Sequence, residues 1–251
     1  MVLDTTVNAI ARSRLRLAAA GLACFLLYAG PPCAQAQTAA SAGTASGRQQ
    51  DAFKRVSEAV GVVHAMANEN GMPNLLGQAL GVYIVPSYGR AALGVGAAGG
   101  SGVLMVKRAD GNWGNPAFFN TGGLSIGLQA GAEGGPIALL LMNPKAVDSF
   151  RRKNSFTVSA DAGLTVVNFA RVASGTVSGD VIAWSGNKGL FGNAATIGIN
   201  DVRYNQSLTN AYYGQATTAA QAIDSTEINP QADALRQALA NPPTPSGTGA
   251  R

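Results

Sequence analysis

The chain has 251 residues, a formal net charge of +5 and an apolar fraction of 47 %, with 32 glycines. This length suffices for one large domain or two small ones, and the combination of low charge with high apolar content argues against a disordered chain. The cations are dispersed apart from the run Arg151-Arg152-Lys153, so the dense basic stripe of a nucleic-acid-binding protein is missing. Composition therefore favours compact β structure without a nucleic-acid partner.

The first 36 residues have the pattern of a secretory signal peptide. Three arginines (Arg12, Arg14 and Arg16) precede an apolar stretch at 17–30, and small residues lead up to Ala36. The apolar stretch is shorter than the roughly 20 residues that a membrane-spanning helix needs. We therefore predict export, with cleavage near Ala36 and a mature protein in the periplasm or associated with the envelope.

A lipid anchor on a signal-peptide cysteine is not expected. Neither Cys24 nor Cys33 follows the pattern of small residues, with a leucine three places upstream, that precedes an acylated cysteine. Cleavage near Ala36 would remove both cysteines and leave a mature chain of net charge +3 without a thiol. Residues 37–47, rich in Ala, Ser, Thr and Gly, are predicted to form a flexible leader.

Helical periodicity begins near residue 50. Apolar residues at spacings of three and four predict one buried helix face: Phe53, Val56, Val60, Val63 and Ala67. Gly71 and Pro73 indicate a helix end, and residues 74–80 a second short helix.

The pattern then changes to a period of two. Predicted strands are 82–85, 91–97, 103–107, 124–132 and 137–142, with a hairpin turn at Asp110-Gly111. The segment 124–132 alternates strictly, as a strand buried on one face does, and 137–142 is continuously apolar, as a strand buried on both faces is.

The second half repeats this scheme. We predict a short helix at 144–150 that begins with Pro144, a long alternating strand at 156–166, and further strands at 177–184 and 195–199. Helices follow after Asn205 and at 230–240, and 242–251 is predicted to be a loose tail. The expected fold is α+β, with a central, mostly antiparallel, strongly curved or barrel-like sheet of about seven to nine strands and N- and C-terminal helices packed on it.

Two motifs resemble those of enzymes but lack the required context. Residues 123–127 match G-x-S-x-G, yet the alternation runs through Ser125 without the sharp turn of a hydrolase, and the sole histidine, His64, lies upstream. Glycines at 94–99 match a dinucleotide fingerprint, but a strand follows them instead of a helix. We predict no catalytic residue, no metal ligand and no cofactor.

Three basic segments are candidate membrane contacts. Arg151, Arg152 and Lys153 follow a predicted helix, where cations also offset the helix dipole. Lys107 and Arg108 precede the hairpin turn, and Lys54 and Arg55 flank the apolar face of the first helix. An anionic phospholipid or membrane surface is the partner that these segments suggest, although packing of the first helix on the sheet is the competing interpretation.

A small polar face is a second candidate site. Glu133 ends the strand 124–132, whose outward residues include Gln129. Glu133 is either a solvated or paired strand-end acid, or, with Gln129, part of a ligand-facing surface.

Six ordered blocks are similar to the SYLF domain family: "LLGQALGVYIVP" (75–86), "GGSGVLMVKRADGNWGNPAFF" (99–119), "GLSIGLQAGAE" (123–133), "LLLMNPKAVDSF" (139–150), "NKGLF" (187–191) and "NAYYG" (210–214). The resemblance implies a domain over residues 48–224, followed by a C-terminal helix at 225–241. It also implies lipid binding without enzymatic activity, and an exported protein of the bacterial envelope. Some fungal members of the family bind actin through a region adjoining the domain, but an actin partner is not expected for an exported bacterial chain.

Two alternatives to lipid binding remain at this point: an outer-membrane β-barrel or envelope structural protein, and a serine hydrolase. The pattern of the chain leaves the oligomeric state and the identity of the lipid open.

Overall fold

The computed structural model describes residues 33–90, 98–126, 134–173, 178–191 and 197–242. The helices are α1 Cys33–Ala67, α2 Met72–Gln78, α3 Pro144–Arg152, α4 Phe169–Ala173, α5 Lys188–Phe191, α6 Gln206–Tyr213, α7 Ala219–Asp224 and α8 Asp233–Ala240, and a 3₁₀ turn at Pro230–Ala232 leads into α8. The strands are β1 Gly81–Arg90, β2 Ala98–Val106, β3 Ala117–Thr121, β4 Leu124–Ile126, β5 Gly135–Leu141, β6 Ser155–Val158, β7 Val166–Asn168, β8 Val181–Ser185 and β9 Ile197–Tyr204.

In the described part of the chain, nine strands form one sheet in the order β4-β9-β3-β2-β1-β5-β8-β7, and β6 also pairs with β9. Phe119 of β3 pairs with Tyr204 of β9, and Leu124 of β4 pairs with Ile199. The two pairs are five residues apart on both sides, so β3 and β4 continue one antiparallel register along β9. They therefore share one edge of β9, and β6 takes the other. All these pairs are antiparallel except β7 with β8.

The outermost strands of this sheet, β6 and β7, follow each other in the chain, and the curled sheet is nearly closed between them. Helices lie at both ends of the sequence, as expected. The prediction of an α+β fold around a curved, barrel-like, mostly antiparallel sheet is confirmed.

Alternation along the strands separates two cores. On β1, Tyr83 and Val85 point to the inner face, where they meet residues of α3 and α7 such as Phe150. Val82 and Ile84 point to the outer face, which is covered by α1, α2, α6 and α8. β5 is buried on both faces from Ile137 to Leu141, as predicted for a continuously apolar strand.

Asparagine caps begin several helices close to their predicted starts. The side chain of Asn143 accepts a hydrogen bond from the Ala146 N–H at 2.9 Å and precedes Pro144 at the first position of α3. Asn205 caps α6 and Asn229 caps the 3₁₀ turn in the same way. The short helices α4, α5 and α7 were not predicted, since four to six residues give little periodicity.

The predicted strand at 156–166 is wrong in its middle part. β6 ends at Val158, and the chain then turns, with the Gly163 N–H donating to the Ala160 carbonyl at 2.8 Å and a Gly163 φ of +74°. Ala160 and Ala162, which the alternation predicted to be buried, are exposed in this turn, whereas Leu164 and Val166 beyond it are buried in the inner core. The alternation of residue types thus predicted a strand where the chain turns.

Residues 37–47 also differ from expectation. α1 begins at Cys33, so the segment predicted as a flexible leader has helical backbone. Its alanines favour helix enough to extend the amphipathic helix upstream. Nearly all of the predicted signal peptide, Cys24 included, lies outside the described residues, as do the predicted strand 91–97, the tail beyond residue 242 and both residues of the polar face, Gln129 and Glu133.

Candidate functional site: a basic cleft at the end of the sheet

Two of the three predicted basic segments meet at one cleft. The cleft has a volume of about 580 Å³ and lies between the loop that follows β2, the last turn of α3 and the end of α7. Lys107, Arg108 and Arg151 line it together with Asp110 and Asp224. Tertiary structure therefore joins cations that lie more than 40 residues apart in the sequence.

The loop after β2 is the hairpin turn predicted at Asp110-Gly111. The Gly111 N–H donates to the Arg108 carbonyl at 2.9 Å, and a φ of +82° makes glycine the suitable residue there. The carboxylate of Asp110 accepts a hydrogen bond from the Asn112 backbone N–H at 2.9 Å. That bond is the main reason why the pKa of Asp110 lies below its usual value. Asp110 is therefore ionised at neutral pH.

Lys107 is held by the protein. Its Nζ donates to the Gly77 carbonyl at 2.6 Å, close to the C-terminus of α2, and lies 5.0 Å from the centroid of the Trp113 ring. Partial burial lowers the pKa of Lys107. A cation that satisfies helix C-terminal carbonyls stabilises the helix, so a structural role accounts for this residue.

Arg108 is only partly engaged. Its Nη2 lies 3.3 Å from Asp110 Oδ2, and its side chain is 21 % exposed. The Nε atom is buried and makes no hydrogen bond with any described residue. A buried N–H normally has an acceptor, so the Arg108 guanidinium is not fully satisfied by the described residues.

Arg151 is paired twice. Its Nη1 lies 2.9 Å from Asp148 Oδ1, one turn earlier in α3, and its Nη2 lies 3.0 Å from Asp224 Oδ1 on α7. Its charge is therefore compensated before any ligand arrives.

Arg152 and Lys153 follow Arg151 at the C-terminal end of α3. The Arg152 side chain is 75 % exposed and lies 3.5 Å from Asp148 Oδ2. Lys153 is exposed and, among the described residues, makes no ion pair. These two side chains have the greatest freedom to contact a surface.

The third basic segment lies elsewhere. Lys54 and Arg55 are on α1, and both lie within 4 Å of Glu58, at 3.8 and 3.6 Å. Neither lines the cleft. They offer a separate contact surface.

Sequence reasoning missed the acids of the cleft. Asp148 was detectable, because it precedes Arg151 and Arg152 by three and four residues on a predicted helix. Asp224 was not, because its pairing depends on the packing of α7 against α3. The five cations of these two segments outnumber the carboxylates of Asp110, Asp148 and Asp224, which leaves a small positive surplus.

A second cleft, of about 370 Å³, lies beside α4 and the end of β8. Phe169, Trp184 and Phe191 line it, together with the carboxylate of Glu69. None of the described residues around it is a cation, so it is less suited to an anionic ligand.

The enzyme-like motif has an ordinary place in the sheet. Ser125 lies in the middle of β4, where it pairs with Gly198 of β9. A nucleophile elbow needs a turn between a strand and a helix, and His64 lies in the last turn of α1 as an exposed side chain.

Among the described helices, none combines the length and the apolar character that crossing a bilayer requires.

Comparison with known proteins finds a family model and relatives of the same kind. The family model described as "Ysc84: Las17-binding protein actin regulator" matches residues 122–241. The chain is 28 % identical over 170 residues to the SH3 domain-containing YSC84-like protein 1 of Bos taurus, over 62 % of this chain and 49 % of the relative. It is 26 % identical over 174 residues to protein YSC84 of Saccharomyces cerevisiae, over 66 % of this chain and 37 % of the relative.

An SH3 domain-containing protein of Schizosaccharomyces pombe is 28 % identical over 124 residues, over 47 % of this chain and 29 % of the relative. The chain thus spans about half or less of the length of these relatives. No solved structure matches it significantly.

The family-model match includes α3 and α7, and hence Arg151 and Asp224, whereas Lys107 and Arg108 precede it. The bovine and yeast similarities cover more of the chain than this match does. The family model and these relatives agree with the six sequence blocks, and together they support a SYLF (Ysc84-like) domain in this chain.

Proposed function

We propose that this protein is an exported, non-enzymatic lipid-binding protein of the bacterial cell envelope, and that its basic cleft receives the anionic headgroup of a phospholipid. The observation that carries this proposal is that Lys107, Arg108 and Arg151 meet in one cleft, where the partly exposed Arg108 guanidinium has a single ion-pair partner, Asp110, among the described residues. A phosphate oxygen is a strong acceptor for such a donor.

The position of the cleft supports contact with a membrane at the end of the sheet. Helices α1, α2, α6 and α8 cover the outer face, and α3 and α7 pack on the inner face, so both faces are occupied in the part of the sheet that the structure describes. Arg152 and Lys153, which follow Arg151 in the chain, are exposed. The protein surface proposed to contact the membrane is therefore small.

The electrostatic attraction is modest. Each cation near an anionic membrane surface contributes about 1 kcal/mol, so a surplus of two gives roughly 2 kcal/mol. That energy gives weak, salt-dependent association, and stable attachment needs an apolar contribution.

Export is the part of the proposal that rests on residues 1–36. Cleavage near Ala36 would remove little more than the first turn of α1, which begins at Cys33. The intact mass of the envelope-purified protein tests it. A mass that begins near Gln37 supports export and cleavage, and the mass of the uncleaved or acylated chain contradicts that part.

Actin is the second candidate partner, because the matched family is described as an actin regulator. The proposal favours lipid, since an exported bacterial protein does not meet actin. Co-sedimentation with filamentous actin tests this choice: pelleting at low micromolar protein would favour the actin alternative.

The central test uses two charge-matched double variants. Arg152→Ser with Lys153→Ser removes the two cations that follow Arg151, and Lys54→Ser with Arg55→Ser removes two on α1. We expect the first pair to weaken co-sedimentation with phosphatidylglycerol-containing vesicles roughly tenfold and the second to change it less than about twofold. Equal losses would contradict the cleft as the site, and failure of the wild-type chain to pellet would contradict lipid binding.

Headgroup recognition is separable from binding of free phosphate. If millimolar inorganic phosphate binds the protein and the protein does not pellet with vesicles, the ligand is a soluble anion. Competition by glycerol phosphate together with vesicle pelleting supports a lipid headgroup.

A further inference from the structure

One large apolar side chain stands out on the described surface. Ile228 is 61 % exposed, whereas every other large hydrophobic residue in the described part of the chain is at least partly buried. It lies in the loop between α7 and the 3₁₀ turn at Pro230–Ala232. A single exposed isoleucine needs no explanation by itself, so its surroundings decide whether it has a role.

The backbone on both sides of Ile228 is fixed by one buried side chain. Asn115, which is 2 % exposed, donates through Nδ2 to the Glu227 carbonyl and accepts through Oδ1 from the Asn229 N–H at 3.2 Å. Arg236 donates to the same Asn115 Oδ1 at 3.2 Å and to the Asn229 carbonyl at 2.5 Å. Ile228 is therefore presented outward by a constrained loop.

This loop borders the basic cleft. Thr226 and Asp224 line both the cleft and the adjoining groove that contains Ile228. Consecutive Cα atoms are about 3.8 Å apart, so the Ile228 Cα lies within about 8 Å of Thr226. The exposed apolar side chain and the cations therefore belong to one end of the molecule.

We propose that Ile228 inserts into the acyl region of an anionic bilayer while the cleft holds a lipid headgroup. The inference rests on the proposed function. Insertion of Ile228 would supply the apolar contribution that stable attachment needs in addition to the electrostatic attraction. The carboxylate of Glu227, beside Ile228, is repelled by an anionic membrane surface, whereas the exposed cations Arg152 and Lys153 are attracted to it. The partner that suits this combination of one apolar side chain and a small positive surplus is a bilayer interface.

Substitution of Ile228 by serine tests how much this side chain contributes to the free energy of membrane binding. Burial of one isoleucine side chain corresponds to roughly tenfold or more in partitioning. We expect Ile228→Ser to weaken co-sedimentation with phosphatidylglycerol-containing vesicles about tenfold, with an unchanged melting temperature because the side chain packs little in the fold. Wild-type affinity in this variant would overturn the inference and leave the lipid-binding proposal intact.

A fluorescent variant tests insertion itself. The native Trp113 and Trp184 are 4 % and 3 % exposed, so Ile228→Trp adds a tryptophan in a distinct environment. With phosphatidylglycerol-containing vesicles that also carry brominated phosphatidylcholine, we expect the introduced tryptophan to show blue-shifted emission and quenching above that of the wild-type chain. Ala162→Trp, in the exposed turn after β6, is the control and should remain unquenched.

The outcomes separate the two proposals. A wild-type chain that never pellets with vesicles contradicts the proposed function. A wild-type chain that pellets, while the introduced tryptophan stays unquenched and Ile228→Ser binds normally, contradicts only the insertion of Ile228.

Discussion

Arg151 holds Asp224 through two of its nitrogens, with Nη2 at 3.0 Å and Nε at 3.1 Å from the same carboxylate oxygen. This contact joins α3 to α7, the two helices that pack in the inner core. It also occupies a guanidinium that lines the basic cleft. An anionic headgroup must therefore compete with Asp224 for Arg151.

Removal of that competing charge should strengthen binding. We expect Asp224→Asn to raise the affinity for phosphatidylglycerol-containing vesicles about threefold, because Arg151 then keeps a less compensated charge. The partly exposed pair contributes little to stability, so the free energy of unfolding should fall by less than about 1 kcal/mol. Vesicle co-sedimentation and urea unfolding measure the two effects, and unchanged or weaker binding would show that Arg151 does not contact lipid.

Lys107 should behave as a structural residue. Lys107→Met keeps the aliphatic chain over Trp113 and removes the hydrogen bond to the Gly77 carbonyl. We expect a loss of about 1 kcal/mol in the free energy of unfolding and less than about a twofold change in vesicle binding. Arg152→Ser with Lys153→Ser should show the reverse, with weaker binding and unchanged stability. A large loss of binding in Lys107→Met would assign this lysine to the lipid site.

Gly102 illustrates why the strands are rich in glycine. A Cβ at this position would lie 2.5 Å from the Ile84 carbonyl oxygen and 2.7 Å from the Tyr83 ring. The buried Tyr83 hydroxyl in turn hydrogen-bonds with Thr121 at 2.7 Å, so its ring has little room to move. We expect Gly102→Ala to lower the free energy of unfolding by about 2 kcal/mol.

Gly61 is the matched control for that substitution. It lies in α1, and no atom is within 4 Å of its would-be Cβ. Gly61→Ala should raise stability by about 0.5–1 kcal/mol, since alanine is the better helix former. Equal effects of the two substitutions in urea unfolding would contradict the close approach of Tyr83 to β2.

Asp180 gives the fold a dependence on pH. The Thr165 N–H donates to its carboxylate at 2.6 Å, and this bond is the main cause of a pKa below the usual value. A carboxylate whose pKa is lowered by folding stabilises the protein above the ordinary pKa of about 4 and loses this contribution as the pH falls through the folded value. We expect Asp180→Ala to cost about 1 kcal/mol at pH 7 and less near pH 3. A difference that persists unchanged at pH 3 would assign the effect to packing.

The order of residues along the chain was enough to predict much of the local structure of this protein, although not the turn after β6 or the short helices. The period of two predicted the strand at 82–85, the continuous apolar run predicted that β5 is buried on both faces, and Pro144 predicted the start of α3. These features depend on spacings of one to four residues, which a single sequence displays. The basic segments and the hairpin at Asp110-Gly111 were visible for the same reason.

Long-range packing selected which of those features act together. Asp224 pairs with Arg151 from 73 residues away, and the side chain of Asn115 holds both neighbours of Ile228 from more than 110 residues away. The turn after β6 interrupts a pattern that predicted a continuous strand. Such contacts depend on strand register and helix packing across the whole chain, and no local spacing encodes them. The cleft, its compensating acids and the outward isoleucine therefore became visible only in the folded protein.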